Sequence, residues 1–127
     1  MVQTVARVFG FVFLLIAALG FLARGMSMEA DPALAPRILG LFPVNVVHNA
    51  VHLLFGVWGL AASRTVSGAA LFAKGAGAIY LVLAILGFIM PTTFGLIPIG
   101  GHVIWLHALI GVVLLTVGLQ APKSVTA

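Results

Sequence analysis

Four runs of apolar residues, each close to 20 residues long, constrain the fold of this chain more than any other feature. They cover residues 5–23, 44–62, 69–90 and 102–119. A helix needs about 20 apolar residues to cross the hydrocarbon core of a bilayer. Only 6% of the residues are charged, whereas soluble domains carry about 25%. The sequence therefore predicts an all-α integral membrane protein with four spans.

The connections between these runs predict how the spans are arranged. Prolines interrupt the first and third connections, and a proline stops a helix because it lacks an amide proton and fixes φ. The second connection, at residues 64–68, is short enough to be a tight turn. Short connections place consecutive helices antiparallel, as in a four-helix bundle. We expect one transmembrane domain over residues 1–127, built from two tandem helical hairpins at 5–62 and 69–119.

The distribution of charge predicts the orientation of the bundle. The first run could pass for a signal peptide, but it is as long as a span and no A-x-A site follows it cleanly, so we expect an uncleaved first span. Lysine and arginine collect on the cytoplasmic side. Four basic residues fall on the side of the termini and two, diluted by two acids, on the other. The four on the side of the termini are Arg7, Arg64, Lys74 and Lys123. The two on the other side are Arg24 and Arg37, and the acidic residues there are Glu29 and Asp31. Both termini are expected in the cytoplasm.

The second half of the chain repeats the first. Residues 40–60 align with residues 95–115 at a constant offset of 55, with eight of 21 positions identical, including a proline, a histidine and a glycine. The first and third runs match at a different offset, "AALGF" at 17–21 against "AILGF" at 84–88. Because each half holds two spans, both halves insert with the same polarity, as parallel repeats about an axis along the membrane normal.

All four histidines fall in the outer half of the predicted bundle. His52 and His107 are equivalent in the repeat, and each is followed four residues later by a glycine, Gly56 or Gly111. His48 and His102 lie nearer the outer surface. Asn45, Asn49, His52 and Gly56 recur at helical spacing on one face. We expect a histidine-centred polar site, with Asn45 and Asn49 as part of it.

Three uses of these histidines are open from the sequence. In the first, the imidazoles make interhelical hydrogen bonds and the glycines are packing positions. In the second, His52 and His107 ligate one b-type haem, with Gly56 and Gly111 leaving room for it. A Zn²⁺ or Cu site of His48, His52, His102 and His107 is a variant of this. In the third, the histidines belong to a proton path or to a groove for a lipid or quinone.

Other functions have less support. The spans contain no carboxylate, and Ser63, Ser67 and Ser124 have no histidine base on their side of the membrane, so the sequence favours a protein that is not an enzyme. The absence of cysteine excludes thiol nucleophiles and thiolate metal sites. The basic residues are too thinly spread for nucleic-acid binding.

The run "NxxHNxxHLLxG" on the second span, with "WLHALIGV" on the fourth, resembles a family of small four-span bacterial membrane proteins of unknown function. The resemblance covers nearly the whole chain and implies a bacterial inner-membrane protein, but no activity. We therefore expect a structural or accessory membrane protein whose neighbours are the lipid bilayer and either a larger membrane complex or further copies of itself.

Overall fold

The computed structural model describes residues 1–123, without the side chains of residues 23 and 24. Within that part of the chain, four helices account for most residues. They are α1 (Val2–Arg24), α2 (Val46–Ala62), α3 (Val66–Ile89) and α4 (Val103–Leu119). The predicted all-helical class with four helices is confirmed.

The helices fall into two length classes. By length and composition, α1 and α3 are long and apolar enough to cross a membrane, whereas α2 and α4 are apolar but have 17 residues each. Seventeen residues span about 25 Å at a rise of 1.5 Å per residue. The late start of α2 has a local cause. In α2 the side chain of Asn45 accepts a hydrogen bond from His48 N at 2.9 Å, so the helix begins at Val46 rather than at the predicted residue 44.

The first connection contains a small element that the sequence did not predict. Strands β1 (Arg37–Ile38) and β2 (Phe42–Pro43) pair antiparallel, with Arg37 opposite Pro43. Leu39 and Gly40 form the turn between them with positive φ angles of 54° and 69°. This hairpin folds the connection back over the end of the bundle.

Two hydrogen bonds define the two ends of the bundle. Gln3 Nε2 donates to Ser63 O at 3.1 Å, which joins the start of α1 to the turn between α2 and α3. Asn45 Nδ2 donates to Leu96 O at 2.7 Å, which joins the first connection to the third. The first and third connections therefore share one end, and the polar site lies in the half of the bundle next to them.

Glycines set the closest helix contacts, and those contacts recur along the chain. A methyl group built on Gly10 would lie 2.9 Å from Leu60 N, and one on Gly77 would lie 2.5 Å from Leu115 N. These two contacts are related by the same offsets, 67 for α1 to α3 and 55 for α2 to α4, that relate the sequence halves. Small residues let transmembrane backbones approach closely. Each helical hairpin is therefore packed along a glycine seam.

Candidate functional site

Three of the four histidines meet in the core of the bundle. His48 and His52 lie one turn apart on α2, with 4.5 Å between their ring centroids. The ring of His107 on α4 lies 5.9 Å from that of His48, nearly perpendicular to it. All three side chains are buried, with 3% to 6% of their surface exposed. We call His48, His52 and His107 the histidine cluster.

The cluster is short of hydrogen-bond partners. Among the described residues, no partner is in place for either ring nitrogen of His48, for His52 Nδ1 or for His107 Nδ1. Carbonyl oxygens of Pro43 and His48 lie near the rings of His48 and His52, but neither contact reaches hydrogen-bond geometry. Leaving a buried donor or acceptor unpaired costs about 1–3 kcal/mol. The cluster therefore has hydrogen-bonding capacity that the described protein groups do not use.

The two asparagines predicted for the polar site have different surroundings. Asn45 has a structural use, because it caps α2 and donates to Leu96 O. Asn49 is fully buried against the backbone of Gly20 on α1, and neither its Oδ1 nor its Nδ2 has a partner among the described residues. Only Asn49 adds unused hydrogen-bonding atoms to those of the cluster.

Aromatic rings close the cluster on its inner side. The ring of Phe13 on α1 lies 5.7 Å from that of His52, and the ring of Tyr80 on α3 lies 5.0 Å from that of His107. Phe13 and Tyr80 also stack on each other, and both are almost fully buried. The histidines are therefore held between the four helices by apolar and aromatic surface.

Two cavities flank the cluster, and all three histidines line both of them. The α1-side cavity has a volume of about 150 Å³ and lies between α1, α2, α4 and the β1–β2 hairpin. The α3-side cavity has a volume of about 160 Å³ and lies between α2, α3, α4 and the third connection. Apart from the histidines and Tyr80, the lining of both is apolar. Small polar groups or waters placed there would face imidazole nitrogens on one side and hydrocarbon on the others.

His102 lies outside the cluster. It directly precedes α4, its side chain is exposed, and its Nδ1 accepts a hydrogen bond from Trp105 Nε1 at 3.1 Å. The structure thus brings together three of the four histidines proposed as metal ligands. Within the part of the chain described, no group of three or more histidine or acidic side chains has a geometry that could hold a metal ion.

Neither cavity beside His52 and His107 is large enough for a haem. The ring of His48 lies 4.5 Å from one and 5.9 Å from the other, and the ring of Tyr80 lies 6.5 Å and 5.0 Å from them. Both rings therefore pack close to the two histidines. Each cavity is also smaller than the roughly 300–1,000 Å³ of typical pockets for ligands of drug size.

The glycines that follow the paired histidines are packing positions. A methyl group on Gly56 would lie 2.6 Å from the Leu14 side chain, and one on Gly111 would lie 2.7 Å from the Leu81 side chain. Neither glycine lines the α1-side or the α3-side cavity. The space beside them, which the haem hypothesis assigned to a flat ligand, is filled by leucines of the neighbouring helix.

Several residues around the site carry only a weak signal in the sequence. Phe13 and Tyr80 lie in apolar runs, where an aromatic ring at helical spacing looks like any other core residue. Ile38 and Leu39 reach the α1-side cavity only because the β1–β2 hairpin folds back. The offset of 67 between α1 and α3 does align Phe13 with Tyr80, and that alignment was the one available clue.

A comparison with family models places the chain among known sequences. No curated protein and no solved structure shows a significant match. One family model, a domain of unknown function designated DUF4383, matches residues 3–120, which is nearly the whole chain. The resemblance to a small family of unknown function is thereby confirmed, and this chain belongs to the DUF4383 family.

Proposed function

We propose that this chain is a small, non-enzymatic integral membrane protein that binds a neutral ligand at the histidine cluster. It crosses the bacterial inner membrane four times, and both of its termini lie in the cytoplasm. The observation that carries the binding proposal is the set of four buried ring nitrogens of His48, His52 and His107 that have no partner among the described residues.

The composition of the spans supports a neutral ligand. The only acidic residues, Glu29 and Asp31, belong to the first connection, and no lysine or arginine lines either cavity. A bound cation or anion would therefore lack an opposite charge in a region where an isolated charge is expensive. A neutral imidazole has one donor and one acceptor nitrogen, so the cluster can bind a ligand that has either function.

Four spans are supported by length and polarity together. Although α2 and α4 have only 17 residues each, spans range from about 17 to 25 residues. Both helices are apolar, and each packs antiparallel to a helix that is long enough to cross. The basic residues Arg7, Arg64 and Lys74 lie towards the end that holds the turn between α2 and α3, which favours a cytoplasmic location for that end.

Cysteine labelling tests the four-span arrangement, and the absence of native cysteine makes it direct. The exposed residues Ala33, Phe94 and Ser67 are each changed to cysteine in separate variants. In intact cells, a membrane-impermeant maleimide is expected to label A33C and F94C. S67C is expected to react only after the membrane is opened. Labelling of A33C and F94C from opposite sides would contradict four spans, and exclusive labelling of S67C in intact cells would reverse the orientation.

Mass spectrometry of small molecules extracted from the purified protein tests the binding site. Wild type is expected to carry a neutral compound that the H52F/H107F double variant loses. The matched control is H102A, which changes the exposed histidine outside the cluster and is expected to retain the compound. Equal small-molecule content in all three proteins would contradict a binding role for the cluster.

A structural or accessory role is the second candidate function. It is favoured by Gly56 and Gly111, which pack against leucines of the neighbouring helices instead of leaving space beside the histidines. In that role the protein would dock to a larger membrane complex or to further copies of itself. It predicts equal small-molecule content in the three proteins above, together with co-purification of a partner or a stable oligomer.

A further inference from the structure

The two cavities beside the histidine cluster are built from equivalent positions of the two halves of the chain. Eight of the ten residues that line the α3-side cavity have a counterpart at offset 55 or 67 that lines the α1-side cavity. Among these pairs are Val44 with Ile99, and Phe55 with Ile110. The recurrence shows that one hairpin architecture forms a pocket twice, on opposite sides of a shared histidine wall.

The two pockets differ where they meet the surface. Each lining contains one half-exposed helix residue, Leu19 at 42% in the α1-side cavity and Ile79 at 43% in the α3-side cavity, but only the α1-side cavity is also bordered by a highly exposed residue, Leu39 at 79%. The counterpart of Leu39 is Phe94, which is equally exposed and also has a positive φ but does not line the α3-side cavity. The third connection is held in place by hydrogen bonds from Asn45 Nδ2 to Leu96 O and from Thr93 Oγ1 to Ile97 O.

We propose that the α1-side cavity is a lateral entrance through which a neutral amphiphile of the bilayer, with a hydroxyl or carbonyl head, reaches the histidine cluster. This inference rests on the proposed function, because it assumes that the cluster binds a ligand. The head bonds to imidazole nitrogens that have no partner among the described residues, and the apolar chain leaves between Leu19 and Leu39.

Three features of the site support this ligand class. The polar atoms are confined to the cluster, and the rest of the lining is hydrocarbon, which matches one small polar head on an apolar body. The cavity opens beside α1, whose outward residues Leu15 and Leu22 are exposed apolar side chains suited to lipid. A volume of about 150 Å³ accommodates a head and the first part of a chain, while the remainder stays in the bilayer.

Photolabelling of the full-length, detergent-purified protein tests the proposal. The probes are a diazirine-labelled fatty alcohol, the corresponding methyl ketone, and a hydrocarbon of the same length without a polar group. The alcohol or the ketone is expected to label peptides that contain Leu19, Leu39 and Leu106. Labelling by the alcohol or the ketone should exceed labelling by the hydrocarbon about fivefold or more, because one or two net hydrogen bonds contribute an affinity difference of that size. The alcohol and the ketone distinguish a hydroxyl head from a carbonyl head.

Matched variants locate the entrance. L39W is expected to reduce labelling about fivefold or more by filling the opening, whereas F94W, at the equivalent position of the other half, leaves labelling unchanged. Leu19→Trp provides a second block on α1, in case L39W disturbs the hairpin. Equal labelling by the hydrocarbon, or equal labelling at the α3-side residues Ile79 and Leu83, would overturn the proposal.

The outcomes separate this proposal from the proposed function. If the extracted compound depends on His52 and His107 but L39W, L19W and F94W label like wild type, the binding site stands and the lateral entrance is overturned. If the H52F/H107F variant neither loses the extracted compound nor loses labelling, the proposed function and the entrance both fail.

Discussion

The ring of Phe13 on α1 lies parallel to the ring of Tyr80 on α3, with 5.3 Å between centroids and 2° between planes. The two residues are equivalent in the repeat, at an offset of 67. They therefore join the two helical hairpins at the centre of the bundle, and each also contacts a histidine of the cluster.

We expect Phe13 and Tyr80 to be energetically coupled. F13L and Y80L should each destabilise the protein, and the double variant should lose less than the sum, with a coupling free energy of about 0.5–1.5 kcal/mol. Thermal unfolding in detergent provides the measurement. Y80F, which keeps the ring and removes the hydroxyl, is the control and should preserve the coupling. Strict additivity of F13L and Y80L would show that the stack contributes nothing beyond burial.

The glycine seam between α3 and α4 should not tolerate a methyl group. In G77A the new Cβ would meet Leu115 N at 2.5 Å and Leu115 Cα at 2.9 Å, so we expect a loss of about 1–3 kcal/mol from overpacking. The matched control is G75A, two residues away on the same helix, where the methyl would touch only the edge of the Trp58 ring at 3.1 Å. That variant should be neutral or gain up to about 1 kcal/mol from helix propensity. Equal stability of the two variants would contradict the close approach.

Asn45 is expected to stabilise the fold through two separate bonds. N45A removes both the cap of α2 and the hydrogen bond to Leu96 O, and should lower the free energy of unfolding by about 2 kcal/mol. T65A removes only the exposed cap of α3 and should lower it by about 1 kcal/mol. N45D keeps the cap acceptor but cannot donate, so its loss should fall between these values. Unfolding temperatures of the three variants check the order, and a loss in N45A no larger than that in T65A would show that the link is unimportant.

Replacing a histidine of the cluster by an apolar ring should separate stability from binding. In protein stripped of ligand, H52F removes the unpaired Nδ1 while retaining a ring beside Phe13. We therefore expect stability equal to that of wild type, or greater by about 1–3 kcal/mol. Ligand binding should be lost in the same variant. A large destabilisation of the stripped protein would instead indicate that His52 serves packing.

His102 should be dispensable for the site. Its exposed side chain accepts one hydrogen bond from Trp105, and exposed substitutions of this kind change stability by about 0.5 kcal/mol or less. H102A should therefore retain both its stability and its labelling by the fatty alcohol. Loss of labelling in H102A would restore the four-histidine site that the sequence suggested.

Much of the arrangement could be predicted from the amino-acid order because apolar runs and prolines act locally. The length of each run indicated a helix, and the prolines indicated where helices stop. The repeat by itself places His52 and His107 at equivalent positions. Equivalence did not determine their neighbours, however, because the offset cannot show which side chains pack around them. The rings of His48 and Tyr80 do so.

What the sequence determined by itself was the set of four apolar helices and the equivalence of the two halves, since these follow from periodicity and composition. Only the tertiary structure decided that leucines fill the space beside Gly56 and Gly111 and that the side chain of His102 is exposed. It also decided that two cavities meet at three histidines. The physical reason is that helical spacing defines a face, whereas the rotation and approach of each helix depend on contacts made by residues far apart in the chain. Gly10 against Leu60 and Gly77 against Leu115 are contacts of that kind.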